Sequence, residues 1–161
     1  MRTLIAACFL VMLSKGTVAT QGKTDPTLNK LASEFAAAFN AGDAGKVAGF
    51  YADDAVLMAP NAPALKGKAA IQAYFDGLFK QGITDLRRSP IESATIERQH
   101  AFEAGTSSVR VRPANSPGQP PTAVGDGARS QGKYVTVRKS IRGEWKIVYD
   151  IFNDDQPTAG R

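Results

Sequence analysis

Residues 132–155 have the sequence GKYVTVRKSIRGEWKIVYDIFNDD, the most informative stretch of the chain. Apolar and polar residues alternate on both sides of Arg142-Gly143, which predicts two long antiparallel strands joined by a tight turn. Asp150 and Asn153 interrupt the large apolar residues of the second strand. A buried carboxylate or amide without a partner costs a few kcal/mol. The hairpin therefore either holds a structural polar pair or lines a cavity.

The register of this hairpin decides which side chains share a face. With a four-residue loop, Lys133 lies directly across from Asp150, and an ion pair between them satisfies the carboxylate. The same register places Tyr134, Tyr149 and Asn153 together on the other face, where they can offer a ligand one or two hydrogen bonds. The alternative for these three residues is core packing with polar tips at the rim. Both faces are mixed in polarity, which predicts a curved sheet with a partly polar pocket on one face and a subunit contact on the other.

Helical periodicity precedes the hairpin. Asp25-Pro26, a capping residue followed by a proline at the first helical position, predicts the start of a first helix, and Gly42 ends it. A short second helix carries Phe50 and Tyr51, and a third ends at Gly82. Further strands are predicted at 55–59, 91–98 and 101–112. Three helices and an antiparallel sheet in 161 residues predict one α+β domain.

The two ends of the chain and one internal segment lie outside the predicted core. Residues 1–19 have the pattern of a secretory signal peptide, whose apolar run is too short for a permanent membrane span. We therefore expect a secreted or periplasmic protein with no membrane contact beyond the cleaved signal. Residues 113–131 are rich in Pro, Gly and Ser and predict an exposed flexible loop insertion. Residues 156–161 are interpreted as a tail.

Composition excludes several kinds of site. The single cysteine, Cys8, lies in the predicted signal peptide, so the mature chain has no disulfide, thiolate metal site or cysteine nucleophile. His100 is the single histidine, and its place between two strands predicts an exposed turn residue rather than part of a metal site. We expect no metal and no cofactor.

The formal charge of the chain is +5, which is only mildly basic. Its basic residues are scattered, apart from Arg87-Arg88 and the group Arg138, Lys139 and Arg142. Aromatic residues do not interleave with them in the manner of a nucleic-acid platform. We therefore interpret them as solvated surface charge and expect no nucleic-acid partner.

Two carboxylates, Glu103 and Asp150, are the candidate catalytic residues, although neither can be assigned a step. If no bulge intervenes, Glu103 shares a strand face with Val109 and is partly buried, and burial makes a glutamate a better proton acceptor. The alternative is a structural ion pair with an arginine. For Asp150 the simplest interpretation is the structural pair with Lys133. The adjacent Asp53-Asp54 is interpreted as turn chemistry rather than an acid–base pair.

Several motifs together resemble a known superfamily. FNAGDA at 39–44, FYADDAV at 50–56 and LKGKAAI at 65–71 are similar to the nuclear transport factor 2-like, or cystatin-like, superfamily. GKY at 132–134 and WKIVYDIFND at 145–154 resemble its SnoaL-like and SgcJ/EcaC-type branch, small proteins of undefined activity. The resemblance covers about residues 25–155. It implies a cone-shaped, strongly bent sheet wrapped around three helices, a pocket at the wide end, and a homodimer through the outer sheet face.

The same superfamily contains the ketosteroid isomerases, whose catalytic groups can be compared position by position. Their general-base aspartate, which directly precedes a proline, corresponds to Ala59. Their tyrosine on the first helix corresponds to about Phe35, and their protonated aspartate falls near Lys133. The resemblance therefore implies that the groups needed for steroid enolisation are missing. A shared fold does not by itself carry a shared activity.

These observations favour an exported protein that binds a small, largely apolar organic ligand. Cofactor-free acid–base activity of the isomerase or cyclase type would extend that role. The alternative is a non-catalytic homodimerisation or interaction module, which the missing isomerase groups and the loop at 113–131 favour.

Overall fold

The computed structural model describes residues 23–111 and 129–155. Its helices are α1 (Pro26–Asn40), α2 (Ala44–Gly49) and α3 (Lys68–Lys80). Its strands are β1 (Tyr51–Met58), β2 (Leu65–Lys66), β3 (Ile83–Ile96), β4 (His100–Val111), β5 (Arg129–Ile141) and β6 (Glu144–Asp154). Three helices and one curved, open six-stranded sheet form a single α+β domain, which confirms the predicted fold class.

Some predicted segments lie outside the described residues. These are the signal peptide at 1–19, the tail at 156–161 and most of the loop at 113–131. The last three residues assigned to that loop, 129–131, belong to β5. No helix in the described ranges is long and apolar enough to cross a membrane.

The helix boundaries follow the local capping signals. Asp25 accepts a hydrogen bond from the Thr27 backbone N–H at 2.8 Å, and Pro26 begins α1 as predicted. Gly42, just beyond the helix, has φ +69°, the left-handed conformation that a C-terminal glycine provides. The second helix is shorter than predicted, because α2 ends at Gly49. Tyr51 is therefore the first residue of β1 and not a helical residue.

The sheet has the strand order β2-β1-β6-β5-β4-β3. All neighbouring pairs are antiparallel except β1 and β6, which run parallel, so the sheet is mixed rather than antiparallel throughout. β3 begins at Ile83, eight residues before the predicted start, and continues through Pro90. The strand tolerates this proline because it is an edge strand, where a missing N–H breaks no ladder between two neighbours.

The β5–β6 hairpin has a shorter loop than predicted. Ile141 pairs with Glu144, so the loop is the two residues Arg142 and Gly143 rather than four. Both have positive φ, +53° and +84°, as a type I′ turn requires. Further from the turn, Arg138 pairs with Ile147 and Val137 with Tyr149. The intervening Val148 is the extra residue of a β-bulge.

This bulge reverses the predicted faces of β6. Beyond it Asp150 pairs with Thr136, and Lys133 pairs with Asn153, so the predicted Lys133–Asp150 pair is wrong. A one-residue shift moves every following side chain to the opposite face of a strand. Asp150 is therefore buried on the inner face with Thr136, whereas Tyr149 is exposed on the outer face. Lys133 is exposed and forms an ion pair with Asp155.

The hydrophobic core lies between the inner face of the sheet and the helices. Its centre is a group of aromatic rings in edge-to-face contact: Phe35, Phe39, Tyr51, Phe75 and Phe79. Burying each large apolar side chain of this kind contributes about 1.5–3 kcal/mol. The rings fill the interior near α1 and α3 but leave a hollow beside β4, β5 and β6.

Candidate functional site: a cavity with a buried ionic end

A cavity of about 240 Å³ lies between the helices and the inner face of the sheet. Most of its wall is apolar and aromatic, with Phe35, Phe39, Tyr74, Phe75, Leu78 and Phe152 among the lining residues. Exposed residues Val111, Gln131 and Asp154 mark its opening. Three polar lining residues are almost fully buried, namely Arg88, Tyr134 and Asp150. The cavity thus has an apolar body and a charged inner end.

Asp150 is held at this end by groups from three strands. The Tyr51 hydroxyl on β1 donates to Asp150 Oδ2 at 2.7 Å, and the Thr136 hydroxyl on β5 donates to Oδ1 at 3.0 Å. Arg88 Nη2 on β3 lies 3.5 Å from Oδ2. These contacts compensate the carboxylate for its loss of water. Burial, followed by the Asp150 charge, raises the pKa of Tyr51 well above its ordinary value, so its hydroxyl remains a donor.

Arg88 is the cation of this pair. Its guanidinium carbon lies 4.2 Å from the ring centre of Phe35 and 4.4 Å from that of Tyr134, within the range of cation–π attraction. Burial opposes its charge, but the Asp150 carboxylate and neighbouring groups outweigh burial and raise the pKa of Arg88. Its Nε and Nη1 atoms are buried and have no hydrogen-bond partner among the described residues.

A second buried group lies behind Tyr134. The Tyr134 hydroxyl donates to Glu103 Oε1 at 2.8 Å, while Glu103 Oε2 is without a partner in the described part of the chain. Arg138 is also fully buried, and none of its guanidinium nitrogens has a hydrogen-bond partner within residues 23–111 and 129–155. Burial, then the Glu103 charge, raises the pKa of Tyr134, and burial lowers the pKa of Arg138. Among the described residues, the interior thus holds two carboxylates and two guanidinium groups, which balance in charge when all are ionised.

Gly105 makes room for this second group. It pairs with Tyr134 across the β4–β5 ladder. A Cβ atom at this position would lie 2.5 Å from the Ser89 carbonyl oxygen and 2.9 Å from the Tyr134 hydroxyl oxygen. Any side chain here would therefore displace the tyrosine that separates Glu103 from the cavity.

The predicted site residues fall in different places. Asp150 and Tyr134 both line the cavity. Asn153 lies at the opening with an exposed side chain, whereas Tyr149 is 52% exposed on the outer face. The prediction that Tyr134, Tyr149 and Asn153 share one face is therefore wrong, and the Val148 bulge is the reason.

The other predicted residues can be placed as well. Glu103 is fully buried, yet it does not line the cavity, and its hydrogen-bond partner is Tyr134 rather than an arginine. His100 is exposed at the junction of β3 and β4, as predicted. Asp53 and Asp54 are exposed in β1 rather than in a turn, and Asp53 forms an ion pair with Lys68 at 2.7 Å. No group of metal-binding side chains occurs in the described residues.

The sequence patterns do not indicate three of the interior residues. The prediction of solvated surface charge is wrong for Arg88 and Arg138, whose side chains are buried. Alternation along β3 offered a signal for Arg88, because it lies two residues after the buried Leu86. Tyr51 is the third, because its sequence context predicts a helix whereas it lies in β1. No local sequence pattern marks Arg138 as buried.

The family model of the SnoaL-like domain matches residues 32–144, more than half of the chain. The chain belongs to the SnoaL-like domain family. The resemblance found in the sequence motifs is thereby confirmed. Most of β6, including Asp150 and Phe152, lies beyond the matched segment of this SnoaL-like domain. No functionally curated protein matches the chain at a significant level.

Solved structures share the fold of this SnoaL-like domain at low sequence identity. A ketosteroid isomerase-like protein from Erwinia carotovora matches with a TM-score of 0.64 and 20% identity, over 80% of this chain and 94% of the other. A putative calcium/calmodulin-dependent protein kinase II association domain from Xanthomonas campestris matches with a TM-score of 0.66 and 19% identity, over 86% and 97% of the two chains. A nuclear transport factor 2-like protein with a cystatin-like fold from Novosphingobium aromaticivorans gives 0.61 and 17%, over 82% of each chain. At these identities the likeness establishes the fold alone.

Proposed function

We propose that this SnoaL-like domain binds a small, largely apolar organic molecule in the cavity. The observation that carries the proposal is an aromatic-lined hollow of about 240 Å³ whose inner end presents Arg88 and Asp150. Ligand sites in proteins are typically concave and apolar with a few polar groups that fix orientation. Because an apolar cavity of about 150 Å³ holds benzene, this one has room for a substituted ring or a two-ring molecule.

Acid–base chemistry without a cofactor is an extension of this proposal. Asp150, the carboxylate that lines the cavity, would accept a proton from the ligand. Arg88 would stabilise the negative charge that then develops on the ligand. The Tyr51 and Thr136 hydroxyls and the Arg88 guanidinium already engage the Asp150 carboxylate, so binding is the primary proposal. Glu103 is separated from the cavity by Tyr134 and acts as a positioning residue.

A ligand screen with two neighbouring substitutions tests the binding proposal. Ser107 lines the cavity, whereas the adjacent Thr106 is exposed on the other face of β4. We expect at least one class of small aromatic or alicyclic compound to raise the melting temperature of the full chain. Ser107→Phe should abolish this shift by filling the cavity, and Thr106→Phe should preserve it. The proposal fails if no compound class raises the melting temperature, or if Ser107→Phe leaves the response intact.

The second candidate function is self-association through the outer face of the sheet. Val135, Tyr149 and Ile151 are 41%, 52% and 46% exposed, and Val135 pairs with Ile151 across the β5–β6 ladder. A contiguous apolar patch on a solvent-facing sheet is typical of a protein interface. We propose that a second copy of the chain covers this patch. Light scattering should give the mass of a dimer for the wild type and of a monomer for Ile151→Glu.

A matched control separates this patch from other exposed apolar residues. Ile91 is 56% exposed on the edge strand β3, so Ile91→Glu should leave the dimer intact. A monomeric wild type would contradict the interface.

Export to the periplasm or the medium is likewise proposed, on the basis of residues 1–19. Cell fractionation followed by determination of the mature N-terminus tests export.

A further inference from the structure

The polar end of the cavity offers a hydrogen-bond acceptor next to hydrogen-bond donors. A carboxylate provides about four lone-pair positions. The Tyr51 and Thr136 hydroxyls occupy two of those on Asp150, and Arg88 lies 3.5 Å from Oδ2, which leaves capacity for one more donor. The neighbouring Arg88 has unused hydrogen-bond donors, since its Nε and Nη1 atoms have no acceptor among the described residues. One unused acceptor and unused donors therefore lie within one ion pair.

We propose that this pair recognises a hydroxyl group on an uncharged aromatic ligand, an inference that rests on the binding function proposed above. A hydroxyl group both donates and accepts, so its hydrogen is directed to Asp150 and its oxygen accepts from Arg88. A ketone or an ether accepts from Arg88 but donates nothing to Asp150. The aromatic lining, with Phe35, Tyr74 and Phe152, favours a flat ring behind the hydroxyl group.

Charge argues against ionic ligands in the same space. The Arg88–Asp150 pair is electrically neutral, and Asp154 adds a carboxylate at the opening. An anionic ligand would bring a third carboxylate to a wall that holds two, and a cation would meet the buried Arg88. The buried Glu103 and Arg138 carry opposite formal charges and together add no net charge. The preferred ligand is therefore neutral.

A matched set of probes tests the hydroxyl inference on the unmodified full chain. The probes are 2-naphthol, 2-methoxynaphthalene and 2-naphthoate, which share the ring system and differ in the head group. Hydrogen bonds to charged groups are each worth enough to change affinity by about tenfold. Isothermal titration should therefore show that 2-naphthol binds about tenfold more tightly than either of the other two probes.

The outcomes separate this inference from the binding function itself. If the methoxy compound or the carboxylate binds as tightly as 2-naphthol, the hydroxyl inference is overturned while the cavity stands as a binding site. If none of the three binds, the hydroxyl inference is overturned, and the thermal-shift screen of compound classes decides the binding function separately.

Two aspartate variants test whether the Asp150 carboxylate produces the preference for 2-naphthol. In Asp150→Asn the preference for 2-naphthol over 2-methoxynaphthalene should fall to about threefold or less, because a neutral amide oxygen is a weaker acceptor. Asp54→Asn, which changes an exposed aspartate of β1 that does not line the cavity, should retain the full preference. An unchanged preference in Asp150→Asn would overturn the role of this carboxylate. If that variant does not fold, the wild-type probe series decides.

Discussion

Asp150 accepts hydrogen bonds from Tyr51 and Thr136 and lies 3.5 Å from Arg88 Nη2. These four residues come from four different strands. Arg88 in turn lies between two aromatic rings. Removing one member of a buried ion pair leaves the other charge without compensation, which is far more costly than removing an exposed pair. At the scale of single residues, the inner end of the cavity should therefore be sensitive to small chemical changes.

Two adjacent arginines provide a direct comparison. Arg88→Met leaves Asp150 without its cation, and we expect it to lower the free energy of unfolding by about 3–5 kcal/mol. Arg87→Met removes only the exposed ion pair with Asp85 and should cost about 0–1 kcal/mol. Urea unfolding of both variants measures the difference. Equal costs for the two variants would contradict a buried, paired Arg88.

The buried tyrosines predict a loss of stability in alkali. Burial, followed by the Glu103 charge, raises the pKa of Tyr134, and burial and the Asp150 charge raise that of Tyr51. Because the folded state holds these protons more tightly than the unfolded state, their contribution is complete below about pH 10 and declines as the pH rises further.

Tyr134→Phe isolates one of these groups. The variant should be less stable than the wild type at neutral pH, since it loses the hydrogen bond to Glu103, but it should lose less additional stability above about pH 10. Urea unfolding at several pH values measures the slope. Tyr149→Phe, which changes an exposed tyrosine, should follow the wild type at neutral pH. A steeper alkaline loss in Tyr134→Phe than in the wild type would be inconsistent with this assignment.

At the scale of elements, the β5–β6 hairpin positions the site through its turn and its bulge. The turn requires positive φ at Arg142, a conformation in which asparagine is favoured and β-branched residues are strained. We expect Arg142→Asn to raise the free energy of unfolding by about 0.5–1 kcal/mol, and Arg142→Val to lower it by at least as much. Thermal unfolding measures both. A stabilising Arg142→Val would show that the turn has another conformation.

The same hairpin shows what the sequence could and could not predict. Capping and glycine signals act within a few residues, so Asp25-Pro26 and Gly42 predicted the limits of α1 correctly. The bulge at Val148 has no such local signal, because valine is an ordinary strand residue. The parallel pairing of β1 with β6 joins distant parts of the chain and is likewise invisible to local patterns. These two features determine that Asp150 faces the cavity, so the site could not be assembled before the fold was known.

At the scale of the whole molecule, a curved sheet and three helices enclose a hollow whose inner end is lined by Arg88 and Asp150. Glu103 and Arg138 are buried as well but do not line it. Buried ion pairs rarely stabilise a protein more than apolar packing would. Buried charges next to an open, aromatic-lined cavity therefore support the proposal of ligand binding made above.

The proposed function requires that a small organic molecule occupies this hollow. The most direct measurement is a crystal structure of the full chain grown with the compound that gives the largest thermal shift. We predict electron density for the compound inside the cavity, in contact with Arg88 and Phe152. Density for the compound on the outer face of the sheet, or an interior filled by side chains with no space for it, would contradict the claim.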